Sequence, residues 1–124
     1  MIARAVWNGV VLAETSRPVL LEGNVYFPSA DVHGESLTRT RAWTVCPWKG
    51  VARYYTVHAG GQVNKNAAWC YPHPSPFARK IKNHVAFWHG VRVEHGAGVR
   101  AVSSAGPDTT PLALANDRQY GLTG

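Results

Sequence analysis

Short apolar stretches alternate with turn-forming residues through the first three quarters of the chain. The stretches are rich in Val, Tyr, Trp and Leu, and a small residue able to adopt positive φ stands between them. The turn signals are Asn8-Gly9, Glu22-Gly23-Asn24, Ala59-Gly60-Gly61 and His89-Gly90. This spacing is typical of antiparallel β structure. It predicts strands at Ala3–Trp7, Val10–Glu14, Val19–Leu21, Asn24–Phe27, Val51–His58, Gln62–Trp69, Val85–Trp88 and Val91–Glu94.

One short helix is predicted near residues 75–83. Ser75 is a suitable N-cap, Pro76 suits the first helical position, and the segment continues to Lys82. Phe77 and Ile81 are four positions apart, so in an α-helix both face the sheet. The basic side chains of the segment then point to solvent; they are Arg79, Lys80 and Lys82.

The rest of the chain has weaker patterns. A second short helical turn is expected within Ala30–Leu37, where Gly34 weakens it. From Gly96 onward the composition shifts to Ala, Gly, Ser, Thr and Pro, which bury little apolar surface. We therefore predict a single β domain over residues 1–95 and a C-terminal extension over residues 96–124, in which Val99–Val102 can add an edge strand.

Composition narrows the class of protein. A chain of 124 residues supports one hydrophobic core. The formal net charge of +6 and the pI near 9.8 favour an anionic partner, but the basic residues are scattered, so nucleic-acid binding is the less favoured expectation. The first residues contain neither a long apolar run nor a cleavage pattern, so we expect a cytoplasmic protein that does not insert into membranes.

The stretch from Thr44 to Gly50 brings a thiol, an indole and an ammonium group close together, at Cys46, Trp48 and Lys49. In an extended segment Cys46 and Trp48 share a face, and an apolar interior would suppress ionisation of the thiol. A nearby Lys49 ammonium would promote the thiolate instead. Both readings remain open: Cys46 as a core residue or a nucleophile, and Lys49 as a structural or a ligand-facing cation.

Three further residues are candidates for a binding site. Glu22 lies at a turn, either as a carboxylate at the mouth of a pocket or as a solvated side chain. Tyr54 adjoins Tyr55 on one predicted strand, and Trp69 ends the next strand. Adjacent side chains on a strand point to opposite faces, so one ring of such a pair lines a cleft or joins a cross-strand aromatic pair.

Other catalytic patterns are missing from the sequence. Cys46 and Cys70 have no CxxC partner, which leaves no zinc set and suggests two reduced thiols. The six histidines show neither HxH nor HExxH spacing, and no serine stands in a GxSxG context. We therefore expect no metal and no cofactor, and we assign no catalytic residue.

Several spaced motifs occur together and in order. They are Glu22-Gly23-Asn24-x-Tyr26-Phe27-Pro28, Thr44-x-Cys46-Pro47-Trp48-Lys49-Gly50, Tyr54-Tyr55, Trp69-x-Tyr71-Pro72, Ile81 and Val85-Ala86-Phe87. From about Ala3 to Glu94 the chain resembles the domain of unknown function 427 family. The resemblance implies a compact β-tent fold, similar to methionine sulfoxide reductase B and Mss4, but without their paired CxxC zinc ligands. A nucleotidyltransferase label is sometimes attached to the family, yet the paired Asp residues that hold magnesium in such enzymes are not visible here.

The leading hypothesis is a small β-domain protein whose pocket binds a small polar or anionic ligand. The proposed ligand-binding residues are Glu22, Cys46, Trp48, Lys49, Tyr54 and Trp69. The alternative is an enzyme, either nucleotidyltransferase-like or dependent on Cys46. A nucleic-acid binder is a third reading, and the oligomeric state stays open.

Overall fold

The computed structural model of the protein describes residues 2–96, 100–102 and 104–107. Across them the chain is mainly β, and short 3₁₀ helices occupy Ser29–Asp31, Gly34–Ser36 and Pro76–Ile81. The strands are β1 Ala3–Trp7, β2 Val10–Thr15, β3 Val19–Leu21, β4 Asn24–Pro28, β5 Leu37–Cys46, β6 Gly50–Ala59, β7 Gln62–Cys70, β8 His84–Phe87, β9 Arg92–His95 and β10 Arg100–Val102.

The strands form two antiparallel sheets. The smaller sheet has four strands in the order β10-β9-β1-β2, and the larger has six in the order β3-β4-β8-β7-β6-β5. Register shifts interrupt the β5–β6 and β6–β7 pairings, where bulges change which face a side chain occupies. The predicted mainly β, antiparallel architecture is confirmed, and it is consistent with a β-tent-like fold.

The four predicted turns are confirmed, and each has two consecutive residues of positive φ. This is the conformation of type I′ turns, whose twist matches that of the flanking strands. Three of these turns close hairpins, and the fourth, at His89-Gly90, carries the chain from the larger sheet to the smaller. In the β3–β4 turn the positive φ values fall on Glu22 (54°) and Gly23 (77°), whereas Asn24, the third residue of the predicted turn signal, begins β4.

Strand β5 was not predicted. Its first half alternates Thr and Arg and is largely exposed, so it lacks the apolar signal of a strand. It forms because Leu37, Thr38 and Arg39 pair with β6. The helical turn expected within Ala30–Leu37 is replaced by the two short 3₁₀ helices that precede β5.

The predicted helix near residues 75–83 is a 3₁₀ helix over Pro76–Ile81, and Ser75 makes no side-chain cap to it. The segment kinks at Ala78, whose φ of −118° and ψ of 23° are not helical, and its buried residues are Ala78 and Ile81. Phe77 is 86% exposed, so the prediction that it faces the sheet is wrong. The α-helical spacing of four does not apply to so tight a helix.

Two apolar clusters cover opposite faces of the larger sheet. The inner core receives side chains from both sheets and consists of small and aliphatic residues with two phenylalanines; its large members are Leu12, Val25, Phe27, Val57, Val85, Phe87, Val91 and Val93. The outer core receives side chains from the larger sheet and from the segment after β7. Its members are Tyr26, Ala42, Cys46, Ala52, Tyr54, Trp69, Tyr71, Ala78, Ile81 and Ala86.

Alternation along the strands explains this division. In β4, Val25 and Phe27 belong to the inner core while Tyr26 belongs to the outer core. In β8, Phe87 and Ala86 are divided in the same way. One sheet therefore carries an aliphatic face and an aromatic, polar face.

Part of the predicted extension can be placed. The predicted edge strand forms at Arg100–Val102, which pairs with β9 at the edge of the smaller sheet. Val99 and most of residues 96–124 lie outside the described residues. No helix of the described part of the chain is long and apolar enough to cross a bilayer.

Candidate functional site

A carboxylate, an ammonium group and an indole meet at the edge of the outer core, at Glu22, Lys49 and Trp48. We call these three residues the Lys49 group. The Lys49 ammonium forms an ion pair with Oε1 of Glu22, and Trp48 Nε1 donates to Oε2 of the same carboxylate over 3.0 Å. Glu22 comes from the β3–β4 turn, whereas Trp48 and Lys49 come from the β5–β6 turn. Each oxygen of Glu22 therefore has its own partner, on a turn distant in sequence.

Lys49 is buried to a degree that is unusual for lysine. Its side chain is 1% exposed, against 31% for Glu22. The ammonium nitrogen lies 5.1 Å from the centroid of the Trp48 ring and 5.6 Å from that of Tyr71, within cation–π range of both. The charge is thus held by one partly exposed carboxylate and two aromatic rings.

The segment after β7 fixes the β5–β6 turn. The hydroxyl of Ser75 donates to the carbonyl of Trp48 over 2.5 Å, and the Ser75 N–H donates to the carbonyl of Lys49 over 2.8 Å. Gly50 has a φ of 121°, and a Cβ there would lie 3.2 Å from the carbonyl oxygen of His73. Ser75 thus positions Trp48 and Lys49 through their backbone.

Three tyrosines extend the polar group into the outer core. Tyr54 and Thr44 share a hydrogen bond of 2.8 Å between their hydroxyls, and Trp69 Nε1 donates to the Tyr26 hydroxyl over 3.3 Å. The Tyr71 hydroxyl is buried without a hydrogen-bond partner among the described residues. It is therefore a free donor within a polar cluster.

Burial raises the pKa of two of these tyrosines, Tyr26 and Tyr71. It raises the pKa of Tyr26 to about 12, although the hydrogen bond from Trp69 works in the opposite direction. Burial also raises the pKa of Tyr71, and the proximity of Tyr26 adds to this effect. Both phenols are neutral at physiological pH and can act as hydrogen-bond donors.

The structure brings the six sequence-predicted site residues to one face of the larger sheet. Glu22, Trp48 and Lys49 contact one another, while Cys46, Tyr54 and Trp69 belong to the outer core behind them. The last three are at most 2% exposed, so they are interior side chains and not walls open to solvent. Solvent reaches the group at Glu22 and at the partly buried Trp48.

The sequence gives no sign that three other residues, Tyr26, Tyr71 and Ser75, lie around the Lys49 group. Tyr26 and Tyr71 lie in the quoted motifs, yet their spacing does not show that they share a face with Lys49. Ser75 was assigned to a helix cap, and its contact with the β5–β6 turn has no local signal.

A separate pocket of about 200 Å³ opens on the inner-core side of the larger sheet. It is lined by Ser29, Val32, Gly34, Leu37, Tyr55 and Val85. Next to it, Cys70 lies 3.7 Å from the Tyr55 hydroxyl, and burial raises the pKa of the Cys70 thiol. This thiol is thus kept protonated and apart from the Lys49 group.

No cluster of three or more His, Cys, Asp or Glu side chains in the described ranges could hold a metal ion.

Comparison with known proteins gives a family match. A family model described as "Domain of unknown function (DUF427)" matches residues 2–97, which include all three residues of the Lys49 group. A search of curated proteins found no match.

Proposed function

This chain belongs to the DUF427 family, and we propose that its Lys49 group is a binding site for a small ligand carrying a carboxylate or phosphate. The ligand's anionic group would contact Lys49 in place of, or beside, Glu22. The Tyr71 hydroxyl would donate to it. Trp48 would cover the site from the solvent side.

The observation that supports this proposal is the buried ammonium group. Transfer of a charged amine from water to an interior costs several kcal/mol even after relaxation, so a buried ion pair contributes little net stability. Here the compensating carboxylate is partly exposed and lies on a two-residue turn. Glu22 is therefore the partner that can move aside without disturbing the sheet.

The neighbouring hydroxyl supports the same conclusion. A buried hydroxyl without a partner costs roughly 1–3 kcal/mol, which a ligand oxygen would recover. The centroid of the Tyr71 ring lies 5.6 Å from the ammonium nitrogen, so the two proposed donors are neighbours. A pair of donors of this kind selects an oxyanion over a cation or an apolar compound.

The alternative of a Cys46-dependent enzyme has less support. Cys46 is 1% exposed and belongs to strand β5, so a substrate would reach its sulfur only if the sheet rearranged. Lys49 is equally buried, but it lies on a turn beside the partly exposed Glu22 and needs only that side chain to move. A nucleotidyltransferase-like activity would use the same anion site for a nucleotide phosphate. A nucleotide is accordingly one of the compounds to be tested.

Calorimetric titration with succinate, inorganic phosphate and AMP tests the proposal. We expect at least one of them to bind, and Lys49→Met to weaken that binding about 10- to 100-fold, the effect of losing a charge-assisted hydrogen bond. Tyr71→Phe should weaken it about 10-fold or less.

The matched control is Lys80→Met, which removes an exposed lysine of the 3₁₀ helix and should leave affinity unchanged. Equal affinity in the wild type and in Lys49→Met would contradict the proposal, as would the failure of all three compounds to bind. Circular dichroism of each variant shows whether the β fold is retained.

A further inference from the structure

The segment 104–107 docks on the β3–β4 hairpin. The Asn24 side chain holds the backbone of Gly106 at both ends of one residue: Nδ2 donates to the Gly106 carbonyl over 2.9 Å, and the Gly106 N–H donates to Oδ1 over 3.0 Å. The Ala105 N–H donates to the carbonyl of Gly23 over 3.4 Å. Asn24 is itself buried, so these bonds are shielded from water.

The groove between the hairpin and Trp88 accepts only glycine at position 106. Gly106 has a φ of 86°, a conformation that residues with a side chain rarely adopt. A Cβ at this position would lie 2.5 Å from Cε3 and 2.6 Å from Cζ3 of the Trp88 ring. Both the backbone conformation and the available space therefore exclude other residues.

The Trp88 ring cannot easily yield to a larger residue. Its Nε1 donates to the carbonyl of Asn66 over 2.7 Å, and the ring packs edge-on against Trp69 at 5.5 Å between centroids. His89 stacks on it at 4.0 Å. The rigid surface is thus part of the outer core's aromatic network.

We propose that the groove formed by Gly23, Asn24 and Trp88 is a peptide-recognition site specific for glycine, and that its occupant is the chain's own segment Ser104–Pro107. An asparagine amide that pairs with both backbone groups of one residue recognises a peptide whatever the side chains, while the tryptophan surface requires glycine. This segment lies beyond the matched residues 2–97, so the chain supplies the occupant from outside the family domain. The inference is independent of anion binding at Lys49.

Hydrogen exchange of the backbone amides, measured by NMR on the full chain, tests this docking. In the wild type we expect the Gly106 and Ala105 amides to exchange at least 10-fold more slowly than in a free peptide of the same sequence. Gly106→Val and Gly106→Ala should each bring the Ala105 amide to within about 2-fold of the peptide rate, because the Cβ alone clashes with the Trp88 ring. Gly34→Val is the control, because a Cβ at Gly34 meets nothing within 4 Å; it should leave the Ala105 rate unchanged.

Recognition is then tested by adding a peptide to the Gly106→Val protein, whose groove has been vacated. The blocked peptide Ser-Ala-Gly-Pro, at millimolar concentration, should shift the resonances of the Asn24 side-chain amide and the Trp88 indole N–H in a saturable way. The peptide Ser-Ala-Val-Pro should not. Free-peptide exchange rates for Ala105 in the wild type, or equal shifts with the two peptides, would overturn the inference.

Discussion

The inner and outer cores lie on opposite faces of one sheet and differ in what they hold. The inner core is an apolar cluster in which Phe27 and Phe87 pack edge to face at 5.6 Å between ring centroids. On the outer side the sheet buries three tyrosine hydroxyls, an indole N–H and the ammonium of Lys49. Aliphatic burial stabilises at about 25 cal/mol per Å², whereas buried polar groups stabilise only when they are paired.

This contrast assigns the faces different roles. The inner core supplies the stability that joins the two sheets. The outer core keeps a charge and an unpartnered hydroxyl that a face selected for stability alone would not need. Mutations on the two faces should therefore change the free energy of unfolding by different amounts, with different signs and with a different dependence on pH.

The largest effect is expected in the inner core. Phe87→Ala should lower the free energy of unfolding by about 3–5 kcal/mol, because it leaves a cavity between the sheets. Phe77→Ala is the matched control, since Phe77 is 86% exposed while Phe87 is fully buried. It should change stability by less than about 0.5 kcal/mol. Chemical denaturation measures both, and comparable losses would refute the division into core and surface.

The next largest effect tests the buried ion pair. Glu22→Gln leaves the Lys49 charge without its carboxylate and should lower stability by about 3 kcal/mol, near the low end for such pairs because Glu22 is partly exposed. Adding Lys49→Met to Glu22→Gln removes the stranded charge and should restore most of the loss.

Glu14→Gln is the control for this ion pair. It breaks a surface pair with Arg4 of 2.8 Å, which should cost less than about 1 kcal/mol. If the double variant is no more stable than Glu22→Gln, the ammonium group is not the source of the loss.

The third test uses alkaline pH. The pKa of Tyr26 is raised from 10.0 to about 12 in the folded protein, so the unfolded chain loses its proton first. The contribution of Tyr26 to the free energy of unfolding is complete below pH 10. It falls between pH 10 and 12, by about 1.4 kcal/mol per pH unit. The raised pKa of Tyr71 acts in the same direction.

Urea denaturation between pH 9 and 11 measures this slope. Tyr26→Phe should make it shallower, while Phe87→Leu in the inner core should leave it as steep as in the wild type. A slope unaffected by Tyr26→Phe would show that the pKa of Tyr26 is not raised in the folded protein.

The smallest effect concerns two hydroxyls of the outer core, whose removal should change the free energy of unfolding with opposite signs. Tyr54→Phe removes a hydroxyl that is bonded to Thr44 and should destabilise the protein by about 1 kcal/mol. Tyr71→Phe removes the unpartnered hydroxyl and should leave stability unchanged or raise it by up to about 1 kcal/mol. Thermal denaturation compares them, and a loss from Tyr71→Phe equal to that from Tyr54→Phe would mean that the Tyr71 hydroxyl is satisfied in solution.

Local chemistry explains which elements could be predicted. The turn at Asn8-Gly9 and the other three turns can be predicted because each contains glycine, which adopts positive φ readily. The sequence does not predict strand β5 because the first half of the strand carries alternating Thr and Arg with little apolar signal, and its pairing with β6 holds it in place. The sequence predicts an α-helix where a 3₁₀ helix forms, because Ser75 and Pro76 at its N-terminus suit either kind of helix.

The candidate site was predictable only in part. The types of residue at Glu22, Trp48 and Lys49 indicated polar chemistry, and the structure joins these three. Nothing in the spacing showed that the Tyr71 hydroxyl would lack a partner. Nor did it show that Asn24 would hold Gly106, far along the chain, by two hydrogen bonds.

The sequence by itself determined the turns, the alternation of the strands and the resemblance to its family, because these depend on neighbouring residues or on ordered motifs. The tertiary structure alone decided which charges are buried, which hydroxyl has no partner among the described residues and where the segment 104–107 docks. Those properties depend on the distance between side chains from separate turns and on the exclusion of water around them. That distance is fixed only when the larger sheet has folded and both of its faces are covered.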